Sequence, residues 1–151
     1  MKRDLTQRWG FLVTDVSKLY SEQFDRMSRE RIGLSLAQCR LLAALAMHDG
    51  ERPLSQVELA QRMGLSAMGV AGLCDRMETA GWISRCASPA DRRVNQVRLE
   101  PRAEEALNAS FSVGDALTAD ALSVLSPEEN SKLIELLGKV RLQLQGRVAG
   151  A

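Results

Sequence analysis

The sequence predicts a mainly α-helical fold carrying one small β-hairpin. Apolar residues recur at steps of three and four along most of the chain. Boxes of the form Ser-x-x-Glu/Gln, at Ser35–Gln38, Ser55–Glu58 and Ser126–Glu129, mark helix starts. Residues 82–99 instead alternate with period two around a charged loop. The length of 151 residues suits a single domain, 1–151. Only 4% of residues are aromatic, so Leu, Val, Ala and Met must fill the core. The formal charge of +1 provides no global field toward nucleic acid or membrane, so any such binding must rest on local charge.

The first helix is expected from residue 5 to about 31, with Leu5, Trp9, Leu12, Val13, Val16, Leu19, Tyr20, Phe24 and Met27 at helical spacing and Gly33 as its stop. The second opens at the Ser35 box, turns Leu41, Leu42, Leu45 and Ala46 inward, and stops near Gly50. The third, short, opens at Ser55 and ends at Gly64, where a left-handed residue is favoured. Ser66 caps a fourth that reaches Ala80, before Gly81. Strands follow at 82–86 and 94–99, with Ile83, Val97 and Leu99 inward. Pro101 suits the first turn of a fifth helix carrying Ala106, Leu107, Phe111, Leu117 and Leu122. Pro127, just inside the Ser126 box, starts a sixth with Ile134 and Leu136 beside its main stripe.

The third and fourth helices, joined at Gly64, form a helix-turn-helix, and the hairpin after them forms a wing. On the fourth helix Val70, Leu73, Cys74 and Met77 share the packing face. The opposite face presents Met68, Ala71, Gly72, Asp75 and Thr79, with Gly69 and Arg76 at its edge. In such a unit the first turns of the second helix meet base edges. Its N-terminal NH groups, near Ser66 and Ala67, suit a phosphate. The loop between the strands is longer than the usual hairpin connection of about two to five residues and reads Ser88-Pro89-Ala90-Asp91-Arg92-Arg93. Arginines 85, 92, 93, 98 and 102 outnumber Asp91 and Glu100 there. Arginine on a loop tip fits a narrow minor groove. Asp91 is expected to hold Arg76 or Arg93 by a charge-assisted bond. The candidate DNA-binding residues are therefore Ser66, Ala67, Met68, Gly69, Ala71, Gly72, Arg76, Asp91, Arg92 and Arg93.

Together, LSxAQ at the second helix, LSQVELAQRMGLS, DRMETAGWISR and the SPADRR wing resemble the MarR family of bacterial winged-helix transcription regulators. The likeness covers nearly the whole chain, and Asp91-Arg92-Arg93 followed by Val97-Arg98-Leu99 is its most distinctive part. It implies a winged helix-turn-helix lobe at 35–100 and a helical dimerisation region at 1–32 and 101–151. Leu5, Leu12, Leu133, Leu137, Val140 and Leu144 would lie in the dimer contact. It further implies a homodimeric repressor on a pseudo-palindromic double-stranded operator, released by a small aromatic effector. Trp9, Cys39 and Met47 are candidates for the effector pocket and serve equally as core. The chain departs from the family where Thr, Ser and Arg often stand early in the recognition helix: here stand Gly69, Ala71 and Gly72. Two glycines within a helix cost roughly 1 kcal/mol each relative to Ala and remove side-chain donors. Readout is then expected to lean on thymine methyls near Met68 and Ala71, on the wing and on DNA shape.

Other function classes are less well supported. The single histidine, His48, ends an apolar helix without a partner constellation for catalysis, so no enzymatic activity is expected. No metal or cofactor is expected either, because Cys39, Cys74 and Cys86 are widely spaced and form no CxxC pair. They suit mostly buried thiols of a cytoplasmic protein. A redox-responsive regulator acting through Cys74 remains an alternative, as does a helical dimer adaptor that does not bind DNA. The apolar run after Trp9 is cut by Asp15 and Lys18, so neither a signal peptide nor a membrane partner is expected.

Overall fold

The computed structural model describes residues 5–50 and 52–148. Its elements are α1 (Trp9–Ile32), α2 (Leu36–Ala46), α3 (Gln56–Met63), α4 (Ala67–Thr79), β1 (Ile83–Ala87), β2 (Asn95–Leu99), α5 (Ala103–Ala121) and α6 (Pro127–Val148). The chain forms two compact units, the first up to Gly114 and the second from Asp115.

The first unit is built around α2, which packs on α1, α3, α4 and β2. Leu41 and Leu42 of α2, Leu59 of α3, Val70, Cys74 and Met77 of α4, Ile83 and Val97 are fully buried. Each large apolar side chain so buried contributes roughly 1.5–3 kcal/mol. The strands pair antiparallel with Ile83 opposite Leu99 and Ala87 opposite Asn95. A third segment joins their edge: Val97 N–H donates to the Leu54 carbonyl at 2.8 Å, and Ser55 bridges Gln96. The root of the hairpin is thereby tied to the start of α3.

Helix ends follow the sequence signals. Ser35 with Gln38 and Ser55 with Glu58 form reciprocal capping boxes. Gly33 and Gly64 adopt left-handed φ of 70° and 63°, which side chains with a Cβ disfavour. In the second unit the Ser126 N–H donates to Glu129 at 2.9 Å, and the Glu129 N–H to the Ser126 hydroxyl at 3.2 Å. Lys132 and Lys139 both pair with Glu135 along α6.

Several boundaries and burials differ from expectation. The Arg8 N–H donates to the Leu5 carbonyl at 3.0 Å in a turn, so α1 begins at Trp9 and Leu5 precedes it. α2 ends at Ala46 rather than near Gly50; Ala46 is exposed and Leu45 half-buried. β1 sits one residue later than the alternation suggested, and β2 starts one residue later but ends at Leu99 as expected. Pro101 lies before α5, in a turn closed by Ala103 N–H to the Glu100 carbonyl at 2.8 Å; its fixed φ suits that turn. Leu122 falls in the turn after α5, and Phe111 is exposed.

Along α1, Trp9, Leu12, Val13, Val16 and Leu19 form an exposed apolar stripe. Along α6, Ile134, Leu137, Val140 and Leu144 are also exposed, while Leu133 is half-buried. Among the described residues no helix is long and apolar enough to cross a membrane, and no cluster of His, Cys, Asp and Glu could hold a metal.

Candidate nucleic-acid interface

α4 turns Val70, Leu73, Cys74 and Met77 into the core, as their spacing requires. This fixes what the opposite side presents. Met68 is 85% exposed, Ala67, Gly69, Asp75, Arg76 and Thr79 are exposed, and Ala71 and Gly72 are half-buried. Ser66 caps the helix by accepting the Gly69 N–H at 3.0 Å. The two glycines differ physically. A Cβ on Gly69 would stand 3.2 Å from the capping Ser66 hydroxyl, tighter than most such contacts. A Cβ on Gly72 would meet only the tip of Arg76 at 3.7 Å, an ordinary contact. Packing within the chain therefore gives a reason for glycine at 69 and none at 72.

The wing loop is a folded turn. The Ser88 N–H donates to the Val94 carbonyl at 2.8 Å, and the Val94 N–H to the Asp91 carbonyl at 2.9 Å. The Ala90 N–H donates to the Ser88 hydroxyl at 3.3 Å. Asp91 accepts the Arg93 backbone N–H at 2.9 Å and the Arg93 guanidinium at 3.2 Å. Of the two arginines considered for Asp91, the structure joins it to Arg93 and not to Arg76. The same bonds hold the Asp91 carboxyl below its ordinary range. The Arg93 side chain is nonetheless 91% exposed, so the pair fixes the turn while leaving the cation presented. Arg92 is exposed and has no side-chain partner among the described residues.

The five arginines counted around the hairpin separate into different roles. Arg85 is half-buried and already paired within the chain: its guanidinium donates to Glu78 at 2.6 and 3.0 Å and pairs with Asp75 at 2.8 Å. Its backbone N–H also donates to Glu78, at 2.9 Å. The arrangement lowers the Glu78 pKa, chiefly through the Arg85 hydrogen bond, and raises that of Arg85. Arg85 thus latches β1 to α4 and is not a free cation. Arg102 lies 4.5 Å over the Trp82 ring and donates to the Ala80 carbonyl at 3.0 Å. The cations left for a polyanion are Arg92, Arg93 and Arg98. The sequence signal for the latch was present: Asp75 and Glu78 stand three apart on one helix side, and Arg85 lies in the following strand.

The remaining candidates are dispersed. Trp9 is 56% exposed and Met47 74% exposed, so in the single chain neither is core; Cys39 is buried. Burial pushes the Cys39 and Cys74 thiols up, which disfavours the reactive thiolate. Cys39 and Cys74 are buried and Cys86 is exposed, in line with mostly buried thiols. His48 bridges two arginines, accepting from Arg62 at 3.1 Å and donating to the Arg52 carbonyl at 2.8 Å.

The geometry has known counterparts. A model of the MarR family matches residues 32–94, from the end of α1 to the wing loop. The HTH-type transcriptional regulator YfiV of Bacillus subtilis (strain 168) is 30% identical over 105 residues. That alignment covers 70% of this chain and 64% of YfiV, so the chain spans less than two thirds of that relative. A probable transcriptional regulator from Pseudomonas aeruginosa is 27% identical, with a TM-score of 0.72 over 91% of this chain and 99% of that one. The DNA complex of S. aureus MepR shares the fold, with a TM-score of 0.73 at 22% identity over 89% and 97% of the two chains. Matched span, relatives and whole-chain topology agree: the chain is similar to MarR-family regulators in its winged-helix core and shares their fold.

Proposed function

We propose that this protein is a sequence-specific DNA-binding transcriptional repressor, acting as a homodimer on a pseudo-palindromic operator and released by a small aromatic ligand. The observation that carries the reading is the Arg85 latch. It ties β1, the strand that leads into the Arg92-Arg93 turn, to α4. A recognition helix joined to a basic wing suits a major groove beside a minor one. MepR, which shares the fold, is known in complex with DNA.

In this reading Ser66, Ala67, Met68, Gly69, Ala71, Gly72 and Arg76 face the major groove, and Asp91, Arg92 and Arg93 serve the minor groove. The apolar stripes of α1 and α6, with Leu12, Leu133, Leu137, Val140 and Leu144, form the dimer contact, and Leu5 lies beside the start of α1. Exposed stripes of this kind mark interaction surfaces. With few donors on α4, specificity comes from thymine methyls and groove shape. A gel shift with DNA flanking the protein's own gene tests binding, followed by substitution of each base pair in the bound site. Preference for A·T-rich steps under the wing and tolerance under α4 is expected. A requirement for several G·C pairs under α4 overturns the shape-reading part, and absence of any shift favours the adaptor alternative.

A further inference from the structure

On the exposed face of α4 nearly every side chain is small, apolar or already engaged. Ala67, Met68, Gly69, Ala71 and Gly72 offer no side-chain donor. The Ser66 hydroxyl accepts the Gly69 N–H, and the Thr79 hydroxyl donates to the Asp75 carbonyl at 2.8 Å. Asp75 also faces outward, but its carboxylate is met by Arg85 at 2.8 Å. Arg76 is the exception. It is exposed, and it is the ionic side chain of this face that has no partner among the described residues.

Where its guanidinium lies matters more than its being unpaired. A helical side chain leans toward the N-terminus and covers the turn before its own. Arg76 does so: a guanidinium nitrogen lies 3.7 Å from where a Cβ on Gly72 would stand. Four residues of helix rise about 6 Å. Arg76 is therefore rooted in the third turn of α4, while its tip is level with the second. A cation confined to the third turn would be left to the phosphates, because the first turns meet base edges. Carried back across Gly72, it joins the part of α4 that meets bases. A side chain longer than Ala at 72 would occupy that path.

We infer that Arg76 is the specificity-determining residue of α4 and reads one guanine in each half-site, its guanidinium, laid across Gly72, donating to guanine N7 and O6. A guanidinium can only donate, through parallel N–H groups. Guanine presents two acceptors side by side on its major-groove edge, whereas adenine sets a donor beside its acceptor. The inference rests on the DNA-binding reading above. One G·C pair per half-site is the exception to the tolerance otherwise expected under α4.

Selection by the full-length protein from duplexes randomised over about 30 bp, room for two half-sites one helical turn apart, tests it. The wild type should select one G·C pair per half-site under α4. Replacing that pair by A·T, or its guanine by 7-deazaguanine, which lacks the N7 acceptor, should weaken binding roughly tenfold to a hundredfold. Arg76→Ala, with an unchanged melting temperature, should bind all three sites alike, at the wild-type level for the A·T site. Arg76→Lys should keep the salt slope and lose part of the guanine preference. Arg76→Ala that retains the preference overturns the inference. So does Arg76→Ala that weakens every sequence equally and lowers the salt slope by about 0.9, the mark of a phosphate contact. A wild type that selects a site without G·C under α4, or that is indifferent to 7-deazaguanine, also overturns it and leaves the DNA-binding reading intact. A pool from which no sequence is enriched overturns the sequence-specific reading itself, and the inference with it.

Discussion

Gly72 is a residue whose identity the chain's own packing does not require. It sits in a helix, and an added Cβ would find ordinary contact. Gly72→Ala should therefore stabilise the protein by about 0.5–1 kcal/mol, read by urea unfolding. If the backbone of α4 approaches DNA closely, the same variant binds its operator at least tenfold more weakly; equal binding removes close approach from the mechanism. Gly69→Ala should gain less stability, because its Cβ presses on the Ser66 cap. The arginines form a second test. Arg92→Ala or Arg93→Ala should weaken DNA binding and lower the salt slope by about 0.9 per lost phosphate contact. Arg85→Ala should weaken binding with the slope unchanged and cost about 1 kcal/mol of stability, since its partners are partly exposed. A change of slope in Arg85→Ala would return it to the DNA-contacting set. Composition could count these cations, but only their partners in space distinguish a latch from a contact.

At the scale of elements, helix starts were legible because capping is local: Ser35, Ser55 and Ser126 each do what a box four residues long specifies. Ser55→Ala should cost about 1 kcal/mol in thermal or urea melts. Its partner Glu58 adds a pH dependence. The Arg52 hydrogen bond, then those from Ser55, hold the Glu58 carboxyl far below its ordinary value of 4.5. A depressed folded pKa contributes stability above that value and loses it progressively as pH falls below it. Melting temperature should thus drop on acidification below about pH 4.5, less steeply in Glu58→Gln, which keeps a capping amide but lacks the titrating charge. An equally steep drop in the variant would assign acid sensitivity to other carboxylates, such as Glu78 and Asp25, whose pKa values are also lowered. The ends of α1 and α5 were less legible. Leu5 and Pro101 carry helix-compatible signals, yet each lies in a turn closed by a backbone bond.

At the scale of the whole molecule, the exposed stripes of α1 and α6 are the largest departure from a self-sufficient chain. Leu12→Glu or Leu137→Glu should shift the protein from dimer to monomer in analytical ultracentrifugation, because a charge would be buried without a partner. Affinity for a full palindromic site should fall with it. A variant that remains dimeric places the contact elsewhere. Periodicity identified these faces as apolar, but it could not show whether they lie in a core or stay open. The same ambiguity covered Trp9 and Met47, which have the composition of core and the exposure of surface.

The sequence by itself determined the helix count, the caps, the inward face of α4, the wing and the likeness to a family. Each depends on spacing within a few residues or on a contiguous motif. Only the tertiary structure decided that Arg85 is spent on Glu78 and Asp75, that Asp91 holds Arg93, and that Leu54 carries the wing root. These pairings join residues that one-dimensional spacing leaves undetermined, since a charge's role depends on which opposite charge the fold brings within hydrogen-bond reach.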